Sequence, residues 1–317
     1  MQILVSVNQT SQAILASQLG AQWIDIKDPS QGSLGAASQE FQQQVLLALL
    51  GDPAKQENAP LNDCKNRQTA HIKSEKTWPN QSRPNTTNSI LSVALGEISD
   101  YLPGPRLPIP LPGFHFAKLG TAGIKRLELA TPATPSLLEK TIQPASPDPE
   151  PLTAEVKHGW FQHWIEWSKN LPDGCTPVLV AYADADHCQG LSICRALQLC
   201  RQFGLPYLLV DTFDKNAVGL FHVFPQRDAC DWIPQIIQTA KDQGTRLAWA
   251  GKLTLSQLQQ LTQWDADIAG VRSAICTENR TGEISPEKLA QVIQLSQPLS
   301  RVTNGGSKAL IQHEVPR

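Results

Sequence analysis

Eight short runs rich in β-branched and other apolar residues recur along the chain, at 3–7, 23–27, 90–96, 114–120, 178–184, 207–213, 246–251 and 268–273. A polar turn follows each, and most are succeeded by a stretch with apolar residues at helical spacing, at about 10–20, 38–50, 155–169, 190–203, 228–243, 255–263 and 285–296. Strands that alternate with helices form a parallel sheet. Eight such strands can stay open as a doubly wound sheet or close into a barrel. No Gly-x-Gly-x-x-Gly follows the first strand. The seventh and eighth strands instead run into Ala250-Gly251-Lys252 and Gly270-Val271-Arg272-Ser273-Ala274. Loops of small residues at those two places suit phosphate in a (β/α)8 (TIM) barrel, because bare backbone N–H groups can approach an anion. The expected fold is an α/β (β/α)8 barrel occupying residues 1–298.

Three stretches fall outside the repeat. Residues 52–88 are rich in Asn, Gln, Lys and Pro, and 130–153 hold a dense set of prolines. Both are expected to be mobile insertions, and 299–317 a flexible tail. Between the third and fourth strands, prolines at 103, 105, 108, 110 and 112 forbid an ordinary helix, so an extended segment is expected there.

Composition narrows the function. The 27 Lys and Arg against 29 Asp and Glu, with no sustained basic run and only three Tyr, argue against a nucleic-acid partner. No apolar stretch reaches the roughly 20 residues of a membrane span, and the first strand lacks the length and basic flank of a signal peptide. A cytoplasmic protein with no membrane partner is expected. Seven cysteines without CxxC or zinc spacing read as reduced thiols, and no metal or cofactor is expected. Cys188, beside His187, and Cys276 are read as incidental or buried thiols rather than nucleophiles.

Strand register then places charge inside the barrel. In Trp23-Ile24-Asp25-Ile26-Lys27 the two-residue period sets Asp25 and Lys27 on one face and the isoleucines on the other. The isoleucines suit the helices, so Asp25 and Lys27 point inward. A buried structural ion pair is one reading of them and a reactive lysine the other. Lys118 ends the fourth strand, Asp211 the sixth, with Lys215 just beyond, and Arg272 the eighth. Alternate strands of a barrel contribute to a common layer, so these groups can meet. A lysine amine attacks a carbonyl only when unprotonated, and neighbouring cations or desolvation lower its pKa. Lys27 near Lys118 meets that need. Asp25 and Asp211 can move protons or hold the lysines, while Arg272, Gly251, Lys252 and Ser273 can bind phosphate. The fifth strand adds Asp184 and Tyr182, which is either a core aromatic or a site residue.

These motifs resemble the (5-formylfuran-3-yl)methyl phosphate synthases of methanofuran biosynthesis. The resemblance rests on Asp25-Ile26-Lys27-Asp28-Pro29 with Gly32-Ser33-Leu34-Gly35-Ala36, on Ala117-Lys118-Leu119-Gly120, and on Tyr182-Ala183-Asp184-Ala185. It continues through Leu209-Val210-Asp211-Thr212 with Lys215, Leu247-Ala248-Trp249-Ala250-Gly251, and Gly270-Val271-Arg272 with Cys276-Thr277. It implies a lyase-type synthase that condenses two molecules of glyceraldehyde 3-phosphate into a phosphorylated furan aldehyde, with loss of phosphate and water. By motif, Lys27 is similar to the Schiff-base lysine and Lys118 to the proton acceptor. Asp25, Asp211 and Lys215 then correspond to supporting acid/base or phosphate-binding residues. The chain departs from the family pattern in its proline-rich 3–4 connection, the insertion after strand 2 and an expanded 4–5 connection. The expected partner is a small phosphosugar, and a homo-oligomer is allowed. The competing readings are another Schiff-base aldolase with a different phosphosugar, and a phosphosugar-binding barrel without turnover.

Overall fold

The computed structural model describes residues 1–51, 89–104, 106–130, 159–223 and 229–296. The insertion expected at 52–88, all but the first residue of that at 130–153, and the tail 299–317 lie outside the described residues. The eight strands are β1 (Gln2–Val7), β2 (Trp23–Ile26), β3 (Ile90–Glu97), β4 (Phe116–Gly120), β5 (Thr176–Tyr182), β6 (Tyr207–Asp211), β7 (Arg246–Trp249) and β8 (Ile268–Val271). They pair in sequence order, all parallel, and β8 closes on β1. The expected barrel is therefore the fold.

The helices are α1 (Thr10–Gln18), α2 (Gln39–Leu50), α3 (Ile124–Ala130), α4 (Trp160–Lys169), α5 (Ala185–Cys188), α6 (Ile193–Phe203), α7 (Ala229–Asp242), α8 (Leu255–Gln263) and α9 (Pro286–Gln294). Side-chain caps start several of them. Ser38 accepts from the Phe41 N–H at 3.1 Å, and Ser285, ahead of Pro286, accepts from the Lys288 N–H at 3.2 Å. The cap at Ser192 also explains why α6 begins three residues later than the spacing alone predicts.

Between β3 and β4 a 3-10 turn over Ile98–Asp100 leads into the expected extended segment. It is anchored where a helix would otherwise pack. The Leu111 N–H donates to Gln42 Oε1 of α2 at 2.9 Å, and Trp167 Nε1 of α4 donates to the Pro108 carbonyl at 2.7 Å. Two short helices, α3 and α5, were not expected. Neither fills the window of roughly 11–18 residues over which helical spacing is read. β5 starts two residues before its apolar run, because Pro177 is tolerated near the start of the strand.

The core divides as the two-residue period demands. Ile24, Ile26, Val93, Leu119, Leu179 and Val210 join the cluster shared with the helices, while Leu4, Trp23, Phe116, Val180, Tyr207 and Leu209 fill the barrel. Trp23, Phe116 and Tyr207, from alternate strands, pack with centroids 4.6 Å and 4.7 Å apart, the first pair tilted and the second edge to face. This aromatic layer is the floor. Two residues further along the same strands come Asp25, Lys118 and Leu209, and two further again Lys27, Gly120 and Asp211. Charge thus accumulates toward the carboxyl ends. Among the described residues, no helix is long and apolar enough to cross a membrane.

Candidate active site

At the carboxyl end of the barrel a cavity of about 650 Å³, its open mouth included, is lined by Asp25, Lys27, Lys118, Asp211 and Lys215. Gly251, Lys252, Arg272 and Ser273 also border it. The expected reactive residues therefore share one space. Asp25, Lys118 and Asp211 are only 1%, 4% and 2% exposed, so each charge must be compensated inside the protein.

Compensation comes in two linked groups. In the deeper one, Lys118 Nζ donates to Asp25 Oδ1, and Ser6 Oγ donates to Asp25 Oδ2 at 3.2 Å. In the upper one, Asp211 accepts at Oδ1 from Lys215 Nζ (2.6 Å) and the Thr212 N–H (2.8 Å), and at Oδ2 from Ser33 Oγ (2.8 Å). Lys215 also donates to the Thr212 carbonyl, which tucks its chain back over the strand end. The Lys215 ammonium, followed by Lys27, holds the Asp211 carboxyl below its ordinary range despite burial.

Lys27 stands between the groups, and among the described residues no carboxylate bonds to it. Its Nζ donates to the Ser33 carbonyl at 3.4 Å. Burial lowers its pKa from 10.5 to about 8; Asp211 and Asp25 oppose the shift, and Lys215 and Lys118 reinforce it. The structural ion pair, one of the two sequence readings of Asp25 and Lys27, is made by Asp25 with Lys118 instead, and Asp211 pairs with Lys215.

The β2–α2 loop is built to bring Ser33 over the strand end. Asp28 caps the turn by accepting from the Ser30 N–H, Ser30 Oγ and Gln31 Nε2 at 2.9, 2.6 and 2.7 Å. The Asp28 N–H and the Gly35 carbonyl close the loop at 3.0 Å. Gly35 approaches so tightly that a Cβ would lie 1.9 Å from the Asp28 carbonyl oxygen. Sequence reasoning quoted this motif only for the family likeness and assigned Ser33 no role.

Three expected residues take other places. Arg272 borders the cavity, yet its five donors are all engaged: Nε with the Arg280 carbonyl (2.6 Å), Nη1 with the Ser6 carbonyl (3.1 Å) and Gln12 Oε1 (2.6 Å), Nη2 with Asn8 Oδ1 (2.8 Å) and the Gly282 carbonyl (2.9 Å). No donor is left for phosphate. Tyr182 is fully buried outside the cavity lining, its hydroxyl donating to Glu97 Oε1 at 2.6 Å. Asp184, also outside the lining, accepts from the Phe213 and Asp214 N–H groups at 2.7 and 2.9 Å. It shapes the loop that carries Lys215.

Glu97 was missed. Along β3, Ala94 pairs with Lys118 and Glu97 with Gly120, so three residues on β3 span two on β4. This bulge, with Gly96 at φ +90°, turns Glu97 toward Tyr182. The carboxylate also accepts from the Ala122 N–H at 2.8 Å, and burial raises its pKa to about 7. A Cβ on Gly120 would sit 2.1 Å from Glu97 Oε2, which accounts for the glycine. Strict alternation cannot anticipate a bulge, although Gly96 beside a terminal acid was a signal.

The six described cysteines are free thiols. Burial pushes Cys188 up to about 12 and raises Cys276, so neither is activated. Among the described residues no three His, Cys, Asp or Glu side chains converge as for a metal ion.

Sequence comparisons with known proteins agree on one family. Two proteins called (5-formylfuran-3-yl)methyl phosphate synthase, from Archaeoglobus fulgidus and Methanosarcina mazei, are 22% and 24% identical to this chain. The alignments cover 93% and 92% of it and 98% of each relative. Among solved structures, 3-hexulose-6-phosphate synthase from Salmonella typhimurium aligns with a TM-score of 0.42 at 12% identity, over 94% of this chain and 100% of the other. Thiamine phosphate pyrophosphorylase from Pyrococcus furiosus gives 0.42 at 10%, over 93% and 94%. The family model described as 4-HFC-P synthase matches residues 3–144 and 154–293, and the chain belongs to that synthase family.

Proposed function

We propose that this enzyme condenses two molecules of glyceraldehyde 3-phosphate into (5-formylfuran-3-yl)methyl phosphate through a Schiff base on Lys27. The observation that carries the reading is the placement of Lys27: a lysine at a strand end, depressed to about 8, between two carboxylates that already have their own lysines. At pH 7 roughly a tenth of such an amine is neutral, against about three in ten thousand for an ordinary lysine. That is enough to attack an aldehyde or ketone carbon at a useful rate.

In the proposed sequence the neutral Lys27 amine adds to the carbonyl of one triose phosphate, and loss of water leaves an iminium. The iminium acidifies the adjacent C–H, whose proton passes to a base of the Asp25–Lys118 pair, and the resulting carbon nucleophile attacks the second aldehyde. Elimination of inorganic phosphate, ring closure and dehydration then give the furan, and Lys27 is released. Atoms balance when one phosphate and two waters leave. Asp211 and Lys215 hold charge beside the iminium, and the surplus of cations around the cavity, six Lys and Arg against two Asp, favours an anionic substrate.

The test is incubation with glyceraldehyde 3-phosphate followed in the ultraviolet for a furan aldehyde, alongside borohydride trapping and peptide mass spectrometry. Furan formation with an adduct on Lys27 is expected. An adduct on another lysine, or none, refutes the mechanism. A Lys27 adduct without a furan product refutes the reaction while keeping the Schiff base.

A further inference from the structure

We infer that Arg280, in the loop after β8, is the phosphate-binding cation of the cavity, and that Arg272 is the residue that positions it. Nothing in the motifs assigns Arg280 a role. The inference deepens the reading of a phosphorylated substrate given above and rests on it for the identity of the anion.

The argument starts from the donors. Arg272 spends all five on neutral oxygens, and two of these are the carbonyls of Arg280 and Gly282. The others belong to Ser6, Asn8 and Gln12, at the end of β1 and in the segment after it. Arg272 therefore straps residues 280–282 to the rim of β1. It does so from a buried position, 8% exposed, where a five-fold satisfied guanidinium is rigid.

The strap delivers the Arg280 side chain to the cavity wall. There Nη2 donates to the Gly32 carbonyl at 2.8 Å, across the mouth in the β2–α2 loop. Arg280's four remaining donor hydrogens have no partner among the described residues. Burial lowers its pKa and Asp211 opposes that shift. Asp211, however, is already bonded to Lys215, Ser33 and the Thr212 N–H. A half-buried guanidinium with open donors and no carboxylate of its own is electrostatically incomplete. A phosphate monoester completes it, since the planar fork matches two phosphate oxygens at once. Lys215 is its electrostatic neighbour and Arg280, like Lys27, acts on Asp211; all of them line one cavity, so an ester held there has its carbon chain in the same space as the Lys27 amine.

Inorganic phosphate is the probe, because it carries the recognised group and needs no turnover. Isothermal titration of phosphate into the full-length protein, at constant ionic strength set with chloride, is expected to give saturable binding. Arg280→Ala is expected to weaken it at least tenfold, and Arg280→Lys to recover part of the loss without the bidentate contact. Far-ultraviolet circular dichroism and a cooperative urea transition like the wild type's are expected for Arg280→Ala, which separates anion binding from damage to the fold. Wild-type protein that does not bind phosphate, or Arg280→Ala that binds it as tightly, overturns the assignment. Furan formation by the wild type is read separately, so Arg280-dependent phosphate binding without a furan product sinks the proposed reaction and leaves this site standing.

Discussion

Lys27→Met is expected to make the protein more stable at neutral pH while abolishing the Schiff base. The lysine is held about 2.5 pH units below its ordinary value, the difference between 10.5 and about 8. At about 1.4 kcal/mol per unit, the folded state carries a penalty of about 3 kcal/mol whenever Lys27 is protonated. Both folded and unfolded chains hold that proton below pH 8, so the full penalty is present there. Between pH 8 and 10.5 the folded chain has released the proton and the unfolded chain has not, so wild-type stability climbs with pH. Methionine matches the length of the side chain without its charge. The variant is therefore expected to gain up to about 3 kcal/mol at pH 7, and the gain to shrink to about 1.4 kcal/mol at pH 9.5. Urea unfolding of both proteins at the two pH values measures the difference, in which titrating groups not coupled to Lys27 cancel. A variant no more stable than wild type at pH 7, or a gain that does not change with pH, would show that burial of Lys27 does not depress its pKa. Such a cost is the usual mark of a residue kept for chemistry.

Further expectations test the surroundings. Gly120→Ala forces a Cβ to 2.1 Å from Glu97 Oε2 and is expected to destabilise by a few kcal/mol, with most of the loss recovered in the double variant with Glu97→Ala; an additive double-mutant cycle refutes the contact. Glu97, raised to about 7 by burial, should give a protonated-carboxyl infrared band at pH 6 that disappears as pH rises through about 7 and is absent from Glu97→Gln. Asp184→Ala removes the acceptor for the Phe213 and Asp214 amides, so hydrogen exchange at those two positions should accelerate, with slower turnover through the loosened Lys215 loop. Unchanged exchange there would mean that Asp184 does not hold the loop.

The barrel was legible in the chain because each of its eight strands carries its own local record. Apolar runs of the right length, polar turns and helical spacing recur in order, and strand period alone sent Asp25, Lys27, Lys118 and Asp211 inward. A two-residue period holds along a regularly paired strand with one face buried, since a slip of one residue would expose the whole apolar set. Tertiary structure decided which of the inward groups pair with one another. Lys27, Lys118 and Lys215 look alike in sequence, but among the described residues Asp25 and Asp211 bond to the other two and neither bonds to Lys27. Arg272 likewise borders the cavity as its position predicts, yet its donors are spent on oxygens of Ser6, Asn8, Gln12, Arg280 and Gly282. A donor's availability depends on every acceptor within about 3 Å of it, and those acceptors come from segments hundreds of residues apart in the chain, as with Asn8 and Arg272. The bulge that aims Glu97 at Tyr182 belongs to the same class of fact: it is a property of two paired strands, and neither strand alone records it.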